Sequence, residues 1–140
     1  MISFAGCVGL AFAFMFPVAE DCPIRTGGPI GPVHELIQRR VKPGQCLEGS
    51  FRSAGTLVLS VRNVRVKPDA VFKFHHASMD PTVARERGYY YNIWPEATQH
   101  VLNRLNNPKL ADHLYGRLPL DGGWYTMKGR DLTAYGYKTC

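Results

Sequence analysis

Short strand-like segments alternate with helix-like segments from Thr26 to the C-terminus, and this alternation constrains the fold more than any other feature of the sequence. The strand-like segments have the length and apolar content of buried strands: QCLEG, VRV and AVFKFH. The helix-like segments place apolar residues at helical spacing: VHELIQRRV, SAGTLVLSV and PEATQHVLNRLNN. Because strands that alternate with helices usually pair in parallel beneath a layer of helices, we predict an α/β layer fold with parallel strands.

The other segments are turns, a loop and a short closing helix. TGGPIGP contains two adjacent glycines, which suit unusual backbone angles and the close approach of a ligand. SMDPTVARERGYYYNIW is rich in charge and tyrosine, and we predict a loop or an insertion there. Near the C-terminus, the sequence predicts a short helix around Gly129–Tyr135 and a closing turn at Gly136.

Length and composition indicate one globular domain, which we place at residues 20–140. A chain of 140 residues can bury a moderate core, and its hydrophobic content of 45% and charged content of 20% are typical of globular proteins. The net charge of +6 is spread along the chain without a run of five like charges. Because a nucleic-acid-binding surface usually clusters Lys and Arg with interleaved aromatic residues, we predict solvated charged faces and no nucleic-acid partner.

The first nineteen residues contain no charged side chain. The apolar part, residues 2–16, is short for a membrane span and matches the apolar region of a secretory signal, roughly 7–15 residues long. A cleavage site follows Ala19. We therefore predict that residues 1–19 are a signal peptide or an N-terminal membrane tether, and that the protein is exported, periplasmic or membrane-associated. The alternative is a buried strand or helix at the start of the fold, in a cytoplasmic protein.

The cysteines indicate a disulfide and no metal site. Signal cleavage would leave Cys22, Cys46 and Cys140, an odd count that permits one disulfide and one free thiol. The sequence does not decide which two pair. Their spacing is unlike that of a zinc site, and the histidines lack mutual ligand spacing, so we predict no metal and no cofactor.

Ser53 lies in GQCLEGSFRSAGTLVLS, between a strand-like and a helix-like segment. Serine attack on an acyl group needs an exposed hydroxyl, a base and N–H groups that stabilise the oxyanion. A strand-to-helix junction exposes the hydroxyl, and the helix N-terminus adds positive potential. A serine at such a junction also suits the N-cap of the helix. The local sequence therefore leaves two roles open for Ser53, a nucleophile and a helix cap.

Four motifs follow one another along the chain: the glycine turn Gly27-Gly28, the segment from Gly49 to Gly55, the segment from Pro68 to His75, and the closing GRDLTAYGY. This ordered set resembles the Clp-type serine peptidases of the ClpP/crotonase superfamily. The resemblance runs from about Thr26 to the C-terminus. It implies a layered ββα spiral that is shortened at its N-terminus, and it implies self-association, because relatives usually form rings or other oligomers.

The resemblance also implies roles for individual residues. Ser53 would be the nucleophile and His75 the general base, while Gly28 and the N–H group of Ala54 would form the oxyanion hole. Gly27 and Gly28 would lie beside a bound peptide. His76 follows His75 directly, and the alternation of side chains along a strand would point it to the opposite face.

The acid of the triad is Asp121 in this comparison, with Asp112 as the second candidate. Asp121 precedes two glycines, so it could equally be a turn residue. A Ser–His pair oriented by another group is a further alternative.

The function implied by the resemblance is that of a serine peptidase-like hydrolase that cleaves peptide bonds in a peptide or protein substrate. Two alternatives remain. In the first, the chain keeps the fold as a catalytically inactive binding or assembly module. In the second, it is a crotonase-like acyl-CoA enzyme, which would share the oxyanion-hole glycines but needs no serine. The tyrosine run Tyr89–Tyr91 with Trp94 would be a binding lid over a peptide groove, a contact with a partner, or a packed loop.

Overall fold

A computed structural model describes residues 21–88 and 92–140, so the predicted signal peptide and the tyrosine run lie outside the described residues. The elements of the described part follow in chain order: α1 Cys22–Thr26, α2 Ile30–Arg40, β1 Cys46–Leu47, β2 Ser50–Arg52, a 3₁₀ helix Ser53–Ser60 (the central helix), β3 Arg65–Val66, β4 Val71–Phe74, α3 Pro81–Glu86, α4 Pro95–Asn103, α5 Pro108–Tyr115, β5 Tyr125–Lys128, α6 Gly129–Leu132, a second 3₁₀ helix Thr133–Tyr135, and β6 Lys138–Thr139.

The strands form two small sheets, and the predicted α/β class is confirmed. One sheet has the order β1-β3-β6, and all its pairs are parallel. The other has the order β2-β4-β5, in which β2 and β4 are parallel and β4 and β5 are antiparallel. The expectation of parallel strands is therefore right for three of these four strand pairs and wrong for the pair of β4 with β5.

The first four strands belong alternately to the two sheets. The chain leaves β1 in the first sheet, turns at Gly49 with a φ of 86°, and enters β2 in the second sheet. It repeats this step from β3 to β4, after a turn in which the Ala70 N–H group donates to the Lys67 carbonyl oxygen. The central helix joins the two steps. Two ββ units separated by a helix therefore stack in register, with Ser50 opposite Val71 and Arg52 opposite Lys73.

Arg25 fixes the first of these steps. Its guanidinium is buried and donates to the carbonyl oxygens of Glu48 and Ser50, at 2.5 and 3.1 Å. It also lies 4.1 Å from the centre of the Phe51 ring. Burial lowers the pKa of Arg25 to about 9, and nearby Glu48 opposes that shift, so the side chain stays cationic at neutral pH. Arg25 thus ties α1 to the strand that leads into Ser53.

The central helix forms the middle of the core. Its residues from Ala54 to Leu59 are all buried, and it packs against α1, α2 and β4. Gly55 allows this packing, because a β-carbon at that position would lie 2.1 Å from the carbonyl oxygen of Ile24 in α1. The helix therefore has no solvated face of its own, unlike the amphipathic surface helix that the spacing of SAGTLVLSV predicts.

Besides α1, β2 and β6, which the sequence analysis did not predict, three elements of the described part differ from the sequence prediction. The segment predicted to be a loop contains α3, whose N-cap Asp80 accepts hydrogen bonds from the N–H groups of Thr82 and Val83. Helix α5 and strand β5 were not predicted at all. Asn107 caps α5 by accepting from the Leu110 N–H group, which separates it from α4 as a second helix. The closing helix and the turn at Gly136, with a φ of 94°, are confirmed.

A disulfide joins Cys46 in β1 to Cys140, the residue that follows β6. Cys22 is disulfide-bonded as well, so the expected free thiol is not found among the described residues. None of the helices within the described ranges is both long enough and apolar enough to cross a membrane.

Candidate active site

Ser53 is held in a strained conformation where β2 meets the central helix. Its φ is +57°, in the left-handed region that non-glycine residues adopt rarely and at a cost of about 1–3 kcal/mol. The Thr56 hydroxyl donates to the Ser53 carbonyl oxygen at 2.7 Å and closes the turn. The N-cap is Arg52 and no side chain caps this helix, so the helix-cap role considered for Ser53 is not observed.

The Ser53 hydroxyl is hydrogen-bonded to the ring of His75. Parallel pairing of β2 with β4 places Arg52 opposite Lys73. Ser53 and His75 lie just beyond these paired strand ends. The distance from Ser53 Oγ to His75 Nε2 is 3.0 Å, which is a hydrogen bond. The structure thus brings together the two residues that the sequence analysis assigned as nucleophile and base, 22 positions apart in the chain.

The other ring nitrogen of His75 faces a backbone carbonyl. His75 Nδ1 lies 2.5 Å from the carbonyl oxygen of His76. Because a carbonyl oxygen only accepts, Nδ1 carries the proton in this contact. Nε2 is then the acceptor in the neutral ring, and the Ser53 hydroxyl donates to it. This is the tautomer that a general base needs.

Neither candidate acid takes that place beside His75. The Asp121 carboxylate accepts from the Gly123 N–H group at 2.8 Å, as a turn residue does, although it lines the same cavity as His75. Asp112 lies on the exposed side of α5. The acid role of Asp121 stays a prediction.

The glycine turn lies directly against Ser53. Gly27 has a φ of +89°, and a β-carbon on it would lie 2.6 Å from Ser53 Cβ and 3.0 Å from Ser53 Oγ. Only glycine fits this approach, which brings the adjacent Gly28 beside the nucleophile. Ala54 is the second residue of the central helix, and the first N–H groups of a helix have no acceptor within it. Of the two expected oxyanion-hole positions, Ala54 directly follows Ser53, and Gly28 directly follows the glycine that approaches the Ser53 side chain.

Two cavities flank these residues. One, of about 420 Å³, extends from the glycine turn along α2, and we call it the apolar groove; its lining residues are Pro23, Gly27, Gly28, Pro29, Pro32, Val33, Leu36 and Arg39. The other, of about 440 Å³, lies on the His75 side, and we call it the histidine cavity; its lining residues are His75, His76, Ser78, Asn92, Ile93, Asp121, Gly122 and Trp124.

The structure adds two residues that sequence reasoning did not assign. Trp124 meets the His75 ring edge-on, with 4.5 Å between ring centres, and it is half exposed. Thr98 in α4 is buried and bonds to His76 Nδ1 at 3.0 Å. His75 and His76 follow the end of β4 and both line the histidine cavity, but their rings have different hydrogen-bond partners, and a buried histidine needs a polar one. The sequence offered no signal that this partner would come from α4.

Burial affects the titration of His76. Desolvation lowers its pKa below the usual 6.5, the nearby Leu118 backbone opposes this shift, and the nearby His75 adds to it. His76 is therefore uncharged at neutral pH. An uncharged neighbour spares His75 the repulsion of a second cation when it takes the serine proton.

Because the folded-state pKa of His76 is depressed, the unfolded chain binds more protons below about pH 6.5, and stability is lost as the pH falls. We expect the free energy of unfolding to decrease from pH 7.5 to pH 5.5, and to decrease less steeply in His76→Gln. Burial also lowers the pKa of His34 and His113, so some pH dependence of the free energy of unfolding will remain in His76→Gln. Urea unfolding at both pH values measures it, and equal slopes in the two proteins would contradict the assignment.

No family model, curated protein or solved structure matches this chain. Within residues 21–88 and 92–140, no three His, Cys, Asp or Glu side chains are grouped so that they could hold a metal ion.

Proposed function

We propose that the protein is a serine hydrolase that cleaves peptide bonds with Ser53 as nucleophile and His75 as general base. The observation that carries the proposal is the 3.0 Å hydrogen bond between Ser53 Oγ and His75 Nε2, made by a serine with a φ of +57°. A strained strand-to-helix turn of this kind is one way in which hydrolases expose a nucleophilic hydroxyl. Because this strained serine is accessible and a histidine lies within hydrogen-bond distance, we infer that the strained conformation serves catalysis and not packing.

The reaction follows from the positions of these groups. His75 Nε2 takes the Ser53 hydroxyl proton as Oγ bonds to the substrate carbonyl carbon, and the carbonyl oxygen becomes an oxyanion. The N–H groups of Gly28 and Ala54 stabilise that oxyanion. The C–N bond then breaks, and the amine leaves with the proton from Nε2. Water, deprotonated by His75, attacks the acyl-enzyme and releases the carboxylic acid and the free serine.

The two cavities suggest how a peptide would lie. The oxyanion-hole glycines open onto the apolar groove, so the acyl half of the substrate would place an apolar side chain there, between Pro29 and Leu36. His75 protonates the leaving amine, so that half of the substrate would enter the histidine cavity beside Trp124. An extended peptide running past the glycine turn satisfies both requirements.

We further propose that the fold is a shortened ββα spiral of the ClpP/crotonase type. Support comes from the repeated unit in which β1 and β3 enter one sheet, β2 and β4 enter the other, and the central helix joins the units. Self-association would be expected of such a chain. The disulfide between Cys46 and Cys140 supports export, because disulfides persist in oxidising compartments.

The alternatives predict different chemistry. A binding or assembly module would keep the fold and have an unreactive Ser53. A crotonase-like acyl-CoA enzyme would use the same oxyanion hole without needing the hydroxyl. The hydrogen bond from Ser53 to His75 favours the hydrolase, because neither alternative requires it.

A fluorophosphonate probe followed by mass-spectrometric peptide mapping tests the proposal. We expect one adduct, on Ser53. Ser60 is the internal control, because its hydroxyl donates to the Leu57 carbonyl oxygen at 2.6 Å and has no histidine partner in the described contacts. An unlabelled protein would favour the binding module, and labelling spread over several serines would also overturn the proposal.

A further inference from the structure

A hydrogen-bonded cluster behind His75 centres on the Thr98 hydroxyl. Thr98 is 1% exposed, and its Oγ1 makes three hydrogen bonds. It donates to the Trp94 carbonyl oxygen at 2.9 Å, one helical turn earlier in α4. It accepts from the Ala77 N–H group at 2.9 Å and from His76 Nδ1 at 3.0 Å.

These bonds use the full capacity of one hydroxyl, which has one donor and two acceptor positions. The single hydroxyl proton goes to Trp94, because a carbonyl oxygen only accepts. His76 Nδ1 must therefore donate, which fixes the His76 tautomer. The side chain of His76 and the N–H group of the next residue, Ala77, are thus both held by one oxygen atom of α4.

Between those two held points lies the carbonyl group of His76. Its oxygen accepts from His75 Nδ1 and so occupies the place that a carboxylate takes in a Ser-His-Asp triad. A backbone carbonyl cannot rotate independently of its peptide plane. Its direction therefore depends on the hydrogen bonds that fix that plane. A further hydrogen bond, from the Trp94 N–H group to the Ala77 carbonyl oxygen at 2.7 Å, ties the next peptide, between Ala77 and Ser78, to the start of α4.

We propose that the orienting member of the site is the backbone carbonyl of His76, and that Thr98 is the positioning residue that aims it at His75 Nδ1. This inference rests on the proposed function for its catalytic meaning. It assigns no orienting role to Asp121, whose carboxylate accepts from the Gly123 N–H group instead. Removing the Thr98 hydroxyl frees the peptide and lets the His75 ring exchange tautomers. With the proton on Nε2, His75 donates to Ser53 and cannot take its proton.

The test measures the tautomer of His75 directly. Protein labelled with ¹⁵N at histidine shows the two tautomers in long-range ¹H–¹⁵N correlation spectra, and His75→Gln assigns the signals. We expect neutral His75 to be protonated at Nδ1 in the wild type and mixed in Thr98→Val. Thr98→Ser, which keeps the hydroxyl, should restore the wild-type tautomer, and Asp121→Asn should not change it.

Fluorophosphonate labelling of the same proteins supplies the functional measurement. We expect labelling of Thr98→Val to slow by roughly tenfold to a hundredfold, the scale of a small misplacement of a catalytic group. Thr98→Ser should recover most of the rate. Tyr137→Phe is the matched control, because it removes another partly buried hydroxyl, which donates to the Leu59 carbonyl oxygen at 2.9 Å away from the site.

The outcomes separate this inference from the proposed function. A wild-type His75 protonated at Nε2, or an Asp121→Asn variant that alone changes the tautomer, overturns the role of Thr98 whether or not the protein is labelled. That measurement needs only the wild type and Asp121→Asn, so a Thr98→Val protein that fails to fold does not prevent it. A wild type with the expected tautomer but no labelling overturns the hydrolase and leaves the orienting contact standing.

Discussion

The Ser53→Ala variant is expected to lose fluorophosphonate labelling completely and to lose hydrolysis by about 10⁴-fold or more, because the attacking atom is gone. His75→Gln should lose nearly as much, since the two residues act as one unit and their losses do not add. We therefore expect the double variant to be no slower than Ser53→Ala. Rates on a set of extended peptides with apolar side chains provide the measurement.

The fold should survive these changes. Ser53→Ala removes one hydroxyl and its hydrogen bond with His75, so its thermal unfolding should stay within a few degrees of the wild type. Ser60→Ala is the matched control for labelling, and it should react at the wild-type rate. Hydrolysis that persists in Ser53→Ala would move the chemistry elsewhere and remove the basis of the proposed function.

The Gly55→Ala variant is expected to be strongly destabilised by the addition of a single methyl group. The new methyl would lie 2.1 Å from the Ile24 carbonyl oxygen and 2.8 Å from its carbon, so α1 and the central helix must separate. Both elements are buried here, and backbone atoms cannot turn aside as a flexible side chain can. We expect a loss of about 3 kcal/mol or more, at the upper end of the cost of overpacking.

Thermal or urea unfolding measures this loss, and Gly31→Ala is the control. Gly31 lies near the start of α2, and a β-carbon there would have no atom within 4 Å. The same chemical change should then be neutral or stabilising by up to about 1 kcal/mol, because alanine favours the helix. Equal stability of the two variants would mean that α1 does not pack on the central helix as described.

The sequence was most informative where a residue type has few uses. The two glycines before α2, the serine at a junction and the histidine at a strand end each predicted a place in the site, and the structure puts Gly27, Ser53 and His75 in contact. These are local rules, and the pairing of β2 with β4 was enough to bring the parts together.

The sequence was least informative where a role depends on a distant partner. Asp121 was chosen because an acid is the usual orienting group, whereas the nitrogen it was meant to face lies against a carbonyl of the adjacent residue. A backbone group carries no signature in a sequence. The importance of Thr98 likewise depends on how α4 packs behind β4, and a threonine in the first turn of a helix has no distinguishing pattern.

The disulfide between Cys46 and Cys140 spans 94 positions, and Ser53, His75, Thr98 and Trp124 all lie between its ends. These four residues are therefore enclosed in a covalent ring, whereas Gly27 and Gly28 precede it. One cut by a protease in the exposed stretch around α3 would open the chain but release nothing, since the part that holds Ser53 and His75 would remain linked to the part that holds Thr98 and Trp124. In an environment that contains other proteases, a nicked molecule can keep its site assembled.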